Sequence, residues 1–264
     1  MWTRRKEGSA IAAAGTIKVG VLTLFPELFD PFWNHGMIRR AVQMGRLIPL
    51  TVPIRDHARG RHQVTDDRPY GGGAGMVMKP EPLAAALAWA RSEMAAATTV
   101  LLSPQGRPFN QELAQSLVSV PELLLVCGRY EGVDERFIDR HVDLEVSIGD
   151  FVLTGGELGA MVVIDAVARL IPGVLGNPDS TACDTFSDGL VEHAHYTRPP
   201  VFEGRAVPEV LLSGDHGAID RWRRETALMR TVLKRPDLLA ERDLGPEERT
   251  ILEQWRRNME RLLE

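Results

Sequence analysis

Residues 98–128 read "TTVLLSPQGRPFNQELAQSLVSVPELLLVCG", and no other stretch indicates the fold class as clearly. The apolar runs at 98–104 and 122–128 predict buried strands, and the segment at 109–120 predicts a helix between them. A strand, a helix and a second strand in succession are typical of a parallel sheet with helical crossovers. The sequence therefore predicts an α/β domain.

The same alternation continues toward the amino terminus. "IKVGVLTLF", from Ile17, and "LIPLTVPI", at 47–54, predict two more strands, and "PEPLAAALAWARSEMAAA", at 80–97, predicts a helix that begins with prolines. Ligands of parallel sheets usually bind beyond the carboxyl ends of the strands. We therefore expect a ligand site among three loops of this sequence, which read "SPQGRP", "GRYEGVDER" and "SIGDFVLTGGE".

Two glycine-rich turns raise the question of which ligand is bound. "SIGDFVLTGGELGAMVVIDAVARLIPG" occupies 147–173, and "RPYGGGAGMVMKP" occupies 68–80. Neither fits the phosphate-binding patterns G-x-x-x-x-G-K-[ST] or G-x-G-x-x-G, and the first has no Lys or Arg between Ser147 and Ala168. These turns therefore favour a ligand other than a phosphate and argue against a nucleotide-dependent oxidoreductase.

The composition of the 264 residues is that of an ordinary globular protein, with a formal net charge of −5. Any nucleic-acid contact must therefore come from local basic patches rather than from a generally basic surface. The two cysteines show no metal-binding spacing, which favours free thiols in a reducing compartment. The amino-terminal start loosely resembles a signal peptide, but its apolar core is short and Glu7 interrupts its basic region, so we expect a cytoplasmic protein.

The carboxyl-terminal third differs in character. Residues 174–210 are rich in Pro, Gly, Asp and Ser, and a helical pattern begins at about Gly217. Six basic residues between Arg221 and Arg235 are opposed only by Glu225. They form either a solvated helix face or, together with the basic loop from Arg55 to Arg68, a surface that follows a phosphate backbone.

Several side chains are candidates for chemistry. The loop carboxylates could act as general bases or could cap helices and close turns; they are Glu131, Asp134, Glu135, Asp150, Asp179, Asp184 and Asp188. Arg169 ends an apolar helical segment, where it either complements the helix carboxyl end, with Asp165 as a possible partner, or acts on a ligand. His193 and His195 have no third ligand placed by spacing, so they do not predict a zinc site.

Eight motifs are recognisable together, in one order and spacing, over residues 17–240. They read "LFPELF", "VTDDRPYGGGAGM", "LLSPQGRPFNQ", "LVCGRYEGVDERFID", "SIGDFVLTGGELGAM", "RLIPGVLGN", "HYTRPPVFEG" and "VPEVLLSGDHGAIDRWR". In this combination the sequence resembles the bacterial tRNA (guanine-N(1)-)-methyltransferases, a family of the SPOUT class.

The resemblance implies a fold and an assembly. It implies a SPOUT-type parallel sheet with a deep trefoil knot, followed by a smaller, mainly helical carboxyl-terminal domain. It also implies a homodimer whose active sites lie at the subunit interface. The expected divisions are an extension at 1–16, a methyl-donor-binding domain at 17–175, a linker at 176–192 and a tRNA-binding domain at 193–264.

The resemblance also implies the reaction. Members of this family transfer a methyl group from S-adenosyl-L-methionine to nitrogen 1 of guanosine 37 in tRNA, beside the anticodon, and depend on Mg²⁺. Asp184, in "CDTFSDG", matches the general base, and Arg169, before "IPGVLG", matches the arginine that stabilises charge on O6. A divalent ion near Glu131 and Asp184 is a further hypothesis, although the sequence does not locate the ion.

The remaining site residues also follow from the resemblance. The expected methyl-donor contacts are Leu102, Ser103, Pro104, Gly128, Tyr130, Glu131, Ile148, Gly149, Asp150, Phe151, Val152, Leu153, Gly155 and Gly156. The expected tRNA contacts in the anticodon stem-loop are made by Arg55, Arg68, His195, Arg221, Arg223 and Arg224.

The sequence departs from the family pattern at two places in the third loop. Phe151 stands where a tyrosine is expected and Gly159 where proline is usual, which bears on donor affinity more than on catalysis. Two alternatives stay open: a related knotted RNA methyltransferase with a different target base, and an RNA-binding protein that has lost catalysis.

Overall fold

The computed structural model describes residues 15–175, 185–186, 189–240 and 242–263. The chain forms two compact units, Met1–Pro178 and Asp179–Glu264.

The first unit is built on a five-stranded parallel sheet, as the sequence predicts. Its strands lie in the order β2-β1-β6-β5-β7. They are β1 (Ile17–Thr23), β2 (Leu47–Pro53), β5 (Thr98–Pro108), β6 (Glu122–Cys127) and β7 (Leu144–Ser147), and β3 (Asp66–Asp67) and β4 (Val77–Met78) form a separate antiparallel pair. Every residue of β6 is buried, as expected for a strand with neighbours on both sides and helices on both faces.

Helices cover both faces of the sheet. They are α1 (Phe29–Trp33), α2 (Gly36–Gln43), α3 (Pro80–Glu93), α4 (Gln111–Val118), α5 (Glu135–His141) and α6 (Glu157–Leu170). One apolar core, with Phe29, Leu117 and Val163, joins α1, α2, α4 and α6 to the sheet. A second core, with Leu87 and Phe137, joins α3 and α5 to it. The two cores are the physical reason for the apolar runs of the strands.

Strand β5 is longer than the sequence predicts. The expected loop at 103–108 is part of β5, and both Leu102 and Arg107 are paired with Val146, so the chain bulges between them. A Cβ atom on Gly106 would lie 2.4 Å from the backbone nitrogen of Val146. The glycine therefore permits a close backbone approach, which a loop prediction based on Pro and Gly content misses.

The second unit is mainly helical in its described part. It contains a hairpin of β8 (Val201–Phe202) and β9 (Arg205–Ala206), then α7 (His216–Lys234), α8 (Asp237–Ala240) and α9 (Pro246–Leu263). The Asp215 carboxylate caps α7 by accepting a hydrogen bond from the Ala218 backbone N–H at 3.0 Å. Across the described ranges, no helix combines the length and the apolar character that crossing a membrane requires.

Candidate active site

A cavity of about 460 Å³ opens at the carboxyl ends of β6 and β7, beside the bulge of β5. Its volume is in the range typical of small-molecule sites. The three loops that the sequence singles out meet there. All the predicted methyl-donor residues except Asp150 line the cavity, and Asp150 is exposed to solvent.

Part of the cavity wall is bare backbone. The Gly156 N–H donates a hydrogen bond to the Gly128 carbonyl oxygen at 2.8 Å. A Cβ atom on Gly156 would lie 2.8 Å from the Cα of Cys127 and 3.0 Å from the backbone nitrogen of Gly128. The second and third loops therefore approach each other closely enough that only glycine fits between them.

A buried ion pair, which the sequence analysis missed, lies under this wall. Glu157, the first residue of α6, is 1% exposed, and its Oε2 lies 2.9 Å from Nη2 of Arg129. Its Oε1 accepts hydrogen bonds from Arg129 Nε at 3.2 Å and from Thr23 Oγ1 at 2.8 Å. Arg129 also donates to the Thr154 carbonyl oxygen at 3.3 Å, and its guanidinium carbon lies 4.2 Å from the centre of the Phe25 ring.

This network connects three segments that are distant in sequence. Thr23 ends β1, Arg129 belongs to the second loop, and Thr154 and Glu157 belong to the third loop and to α6. A buried charge requires a partner and hydrogen bonds, and here it has both. The pair thereby fixes the second and third loops against the central sheet. One sequence feature that could have indicated the pair is a glutamate directly before the mainly apolar run of α6.

Cys127, the last residue of β6, lies near both charges of this ion pair. Burial raises the pKa of its thiol well above the ordinary value, and the nearby Glu157 carboxylate raises it further. The thiol is therefore neutral at physiological pH and acts as a small apolar side chain rather than as a nucleophile.

The other glycine-rich turn supports the second loop rather than a ligand. The Glu131 N–H donates to the Met76 carbonyl oxygen, and the Met78 N–H donates to that of Gly132, both at 2.9 Å. Gly75 has a φ of +81°, and a Cβ atom there would lie 2.3 Å from Glu131 Oε1. The backbone conformation therefore favours glycine here, and a larger residue would displace the Glu131 side chain.

Tyr130 of the second loop interacts with Asp66 of β3. Burial raises the pKa of its phenol, and so do the charge of Asp66 and a hydrogen bond with the Asp66 side chain. The phenol thus keeps its proton at neutral pH.

The two departures from the family pattern lie at the cavity. A Cβ atom on Gly149 would lie 2.5 Å from Cε1 of Phe151, so the aromatic ring covers the glycine backbone without needing a hydroxyl. Gly159 is buried in the first turn of α6 and faces Leu102, with 3.3 Å between a built Cβ and Cδ1 of that leucine.

The charge of the cavity lining is predominantly negative. Three carboxylates line it, from Glu131, Glu135 and Glu145. Arg129 is the one basic residue among the described residues of the lining, and its guanidinium is already bonded to Glu157 and Thr154. The site therefore suits a neutral or cationic ligand and disfavours a polyphosphate.

The predicted catalytic residues have different outcomes. Arg169 lies in the last turn of α6 and is exposed. Asp184 lies outside the described residues, as do the other linker candidates Asp179 and Asp188. Asp134 is a helix cap: its Oδ1 accepts a hydrogen bond from the Arg136 N–H at 3.0 Å, and hydrogen bonding to the Arg136 side chain lowers the pKa of its carboxyl.

The predicted tRNA contacts are exposed in both units. Arg55 and Arg68 lie on the first unit, and Arg221 lies on α7. On the same helix, Arg223 lies 3.4 Å from an Asp220 oxygen and Arg224 lies 2.7 Å from Glu247 of α9. His195 Nε2 lies 2.9 Å from Glu192 Oε1. The basic face of α7 is thus partly neutralised by its own unit.

Comparison with known proteins identifies the family. The sequence model described as "tRNA (Guanine-1)-methyltransferase TrmD" matches residues 17–241. The chain belongs to this family. It is therefore an enzyme of the methyltransferase class, as the motifs predict.

Curated relatives support the same assignment over most of the chain. A protein of Desulfatibacillum aliphaticivorans is 55% identical over 239 residues, which is 90% of this chain and 91% of the relative. One of Syntrophotalea carbinolica is 56% identical over 90% of this chain and 96% of the relative, and one of Pseudomonas putida (strain F1) is 52% identical over 92% and 98%. Each is named tRNA (guanine-N(1)-)-methyltransferase.

Proposed function

We propose that this protein transfers a methyl group from S-adenosyl-L-methionine to nitrogen 1 of guanosine 37 in tRNA. Three kinds of observation support the proposal: family membership, the names of relatives at 52–56% identity, and the character of the cavity. The single observation that carries the donor assignment is the cavity's charge.

The cavity fits an adenosyl group that carries a sulfonium. Its volume of about 460 Å³ and its apolar and backbone lining suit a nucleoside, which can bond to the exposed peptide groups of the three loops. A sulfonium is a cation, and the carboxylates of Glu131, Glu135 and Glu145 favour it. The phosphates of NAD or ATP would meet these carboxylates and find no free cation among the described lining residues.

Two side chains perform the proton and charge chemistry in this proposal. Nitrogen 1 of guanine carries a proton and is a poor nucleophile until a base removes it, which is the role of Asp184. The negative charge that then develops on O6 is stabilised by Arg169. The donor supplies the methyl group, and the alignment of guanine with that group contributes much of the rate.

The protein acts as a homodimer in this account, with its sites at the subunit interface. Support comes from apolar side chains that the chain exposes around the donor loops. Phe151, Val152 and Leu153 of the third loop and Leu158 and Val162 of α6 are all more than a third exposed. Such a patch is typical of an interaction surface. In this proposal residues 17–175 form the knotted donor-binding domain, in which Gly155 and Gly156 lie against the second loop.

Residues 176–192 are the proposed linker, and residues 193–264 bind tRNA together with exposed arginines of the first unit. The target base lies in a single-stranded loop, where it can be extruded at little cost. The proposed contacts with the RNA backbone are Arg55, Arg68, His195, Arg221, Arg223 and Arg224.

A requirement for Mg²⁺ remains part of the proposal, with the ion near Glu131 and Asp184, where it would polarise O6. Chelation should then slow the wild-type enzyme and have little further effect on the Glu131→Ala enzyme. A loss of rate on chelation that persists in Glu131→Ala would contradict this placement.

Calorimetry tests the donor assignment. We expect S-adenosyl-L-methionine to bind the full chain, and NAD and ATP to give no heat of binding. Glu145→Gln and Glu135→Gln, which each remove one carboxylate from the cavity, should weaken binding of the sulfonium donor more than binding of S-adenosyl-L-homocysteine, whose thioether sulfur carries no charge. Equal weakening of both ligands would show that the carboxylates do not recognise the positive charge.

A further inference from the structure

Three metal-ligating side chains come together at the start of the described part of the second unit. They belong to Glu192, His193 and His195, and one ligand atom from each lies within 4.8 Å of the other two. No other such group of His, Cys, Asp or Glu occurs among the described residues. The structure thus supplies the third ligand that the spacing of the two histidines does not reveal.

The contacts of the two imidazole rings suit a metal ion. Nδ1 of His193 lies 3.2 Å from the Ala194 carbonyl oxygen, a contact that is a hydrogen bond when Nδ1 carries the proton. This leaves Nε2 of the ring with a lone pair, and a bond from the other ring nitrogen to a carbonyl is the usual support of a metal-binding histidine. Nε2 of His195 lies 2.9 Å from Glu192 Oε1, so a metal ion could replace the proton between them.

The backbone of this segment is held against α7. The Val191 N–H donates to Thr231 Oγ1 at 2.9 Å, and Thr231 is fully buried. Arg230 Nε donates to the Glu192 carbonyl oxygen at 3.0 Å. The His193 ring has its centre 4.5 Å from that of His195 and 6.4 Å from that of Trp222. The three ligands are therefore carried by a segment whose backbone is anchored to α7.

We propose that Glu192, His193 and His195 form a binding site for a divalent transition-metal ion of the zinc class. Two imidazoles and a carboxylate are a ligand set that zinc accepts, whereas Mg²⁺ prefers oxygen ligands and keeps its waters. Three protein ligands leave a fourth position for water or for an oxygen of another molecule. The site is separate from the Mg²⁺ requirement of the proposed reaction and does not depend on that reaction.

The test is calorimetry of the full chain without a histidine tag, freed of metal and titrated with ZnCl₂ and, separately, with MgCl₂. We expect one zinc ion per chain at this site, and no Mg²⁺ binding that depends on it. His193→Ala and Glu192→Gln should each weaken zinc binding by at least about tenfold, because each removes one of three ligands. His216→Ala removes an exposed histidine of the same unit and should leave the affinity unchanged.

Circular dichroism shows whether each variant keeps its helices. Zinc binding that is equal in wild type, His193→Ala and Glu192→Gln would overturn the proposal, because the ion would then bind adventitiously elsewhere. Mg²⁺ binding that is lost in the same variants would overturn the assignment to the zinc class.

Discussion

The buried pair of Arg129 and Glu157 leads to a quantitative prediction. Glu157→Gln keeps the side-chain volume but removes the charge that pairs with Arg129 across 2.9 Å. Removal of one partner from a buried ion pair costs about 3–5 kcal/mol. The Arg129 side chain is 19% exposed and can recover some hydration, so the lower end, about 3 kcal/mol, is expected. At 2–4 °C per kcal/mol for a unit of this size, Tm should fall by roughly 6–12 °C.

Donor binding should weaken in the same variant, because the pair joins the second and third loops to β1. If donor binding loses about half of this free energy because the loops are less well ordered, the KM for S-adenosyl-L-methionine rises roughly tenfold, since 1.4 kcal/mol corresponds to a factor of ten. The assays are thermal unfolding and initial rates at saturating tRNA.

Glu122→Gln is the matched control. Glu122 is the other buried glutamate among the described residues. Its Oε2 accepts a hydrogen bond from the Ala96 N–H at 2.7 Å, and it starts β6 at the end away from the cavity. We expect it to lower Tm less and to leave the KM unchanged. If Glu157→Gln lowers Tm no more than Glu122→Gln does, the ion pair does not stabilise the fold as proposed. If Glu157→Gln lowers Tm but leaves the donor KM at the wild-type value, the ion pair does not position the loops.

Three further predictions concern other parts of the molecule. Gly156→Ala should abolish donor binding in calorimetry, because its Cβ would lie 2.8–3.0 Å from backbone atoms. The control Gly217→Ala, whose Cβ would lie 3.4 Å from the nearest atom, should bind the donor normally. Normal binding by both variants would contradict the tight fit of the loops at Gly156. In a Cys183→Ser background, Cys127 should not react with a thiol reagent at pH 8 until the protein is unfolded, because burial keeps its pKa high; fast native labelling would contradict this. Arg221→Ala should make the plot of log association constant for tRNA against log salt concentration less steep by about 0.7–0.9, as expected for one lost phosphate contact. An unchanged slope would show that Arg221 does not contact the RNA backbone.

The parallel sheet and the position of the cavity could be predicted because both depend on local patterns. Apolar runs such as 122–127 specify buried strands, and parallel strands bring their carboxyl ends, and so the following loops, to one edge. Arg129 and Glu157 could not be paired from sequence, because they are 28 residues apart and each has an ordinary role as a loop or helix-start residue.

The bulge of β5 and the support of Glu131 by the turn at Gly75 were not predictable either. Both depend on a close approach between segments that are separate in the chain, and glycine content alone predicts a flexible turn at each place. The roles of Asp184 and Arg169 come from the family resemblance rather than from any pattern of charge or periodicity, and they stay predictions.

The proposed methylation of guanine is tested by identification of the methylated nucleoside. Purified protein would be incubated with labelled S-adenosyl-L-methionine, Mg²⁺ and unmodified tRNA that carries guanosine at positions 36 and 37, and the tRNA would then be digested to nucleosides. We expect label in 1-methylguanosine, and none with the Asp184→Asn enzyme. Label in another nucleoside would indicate a related RNA methyltransferase with a different target, and an absence of label despite donor binding would contradict the proposed reaction.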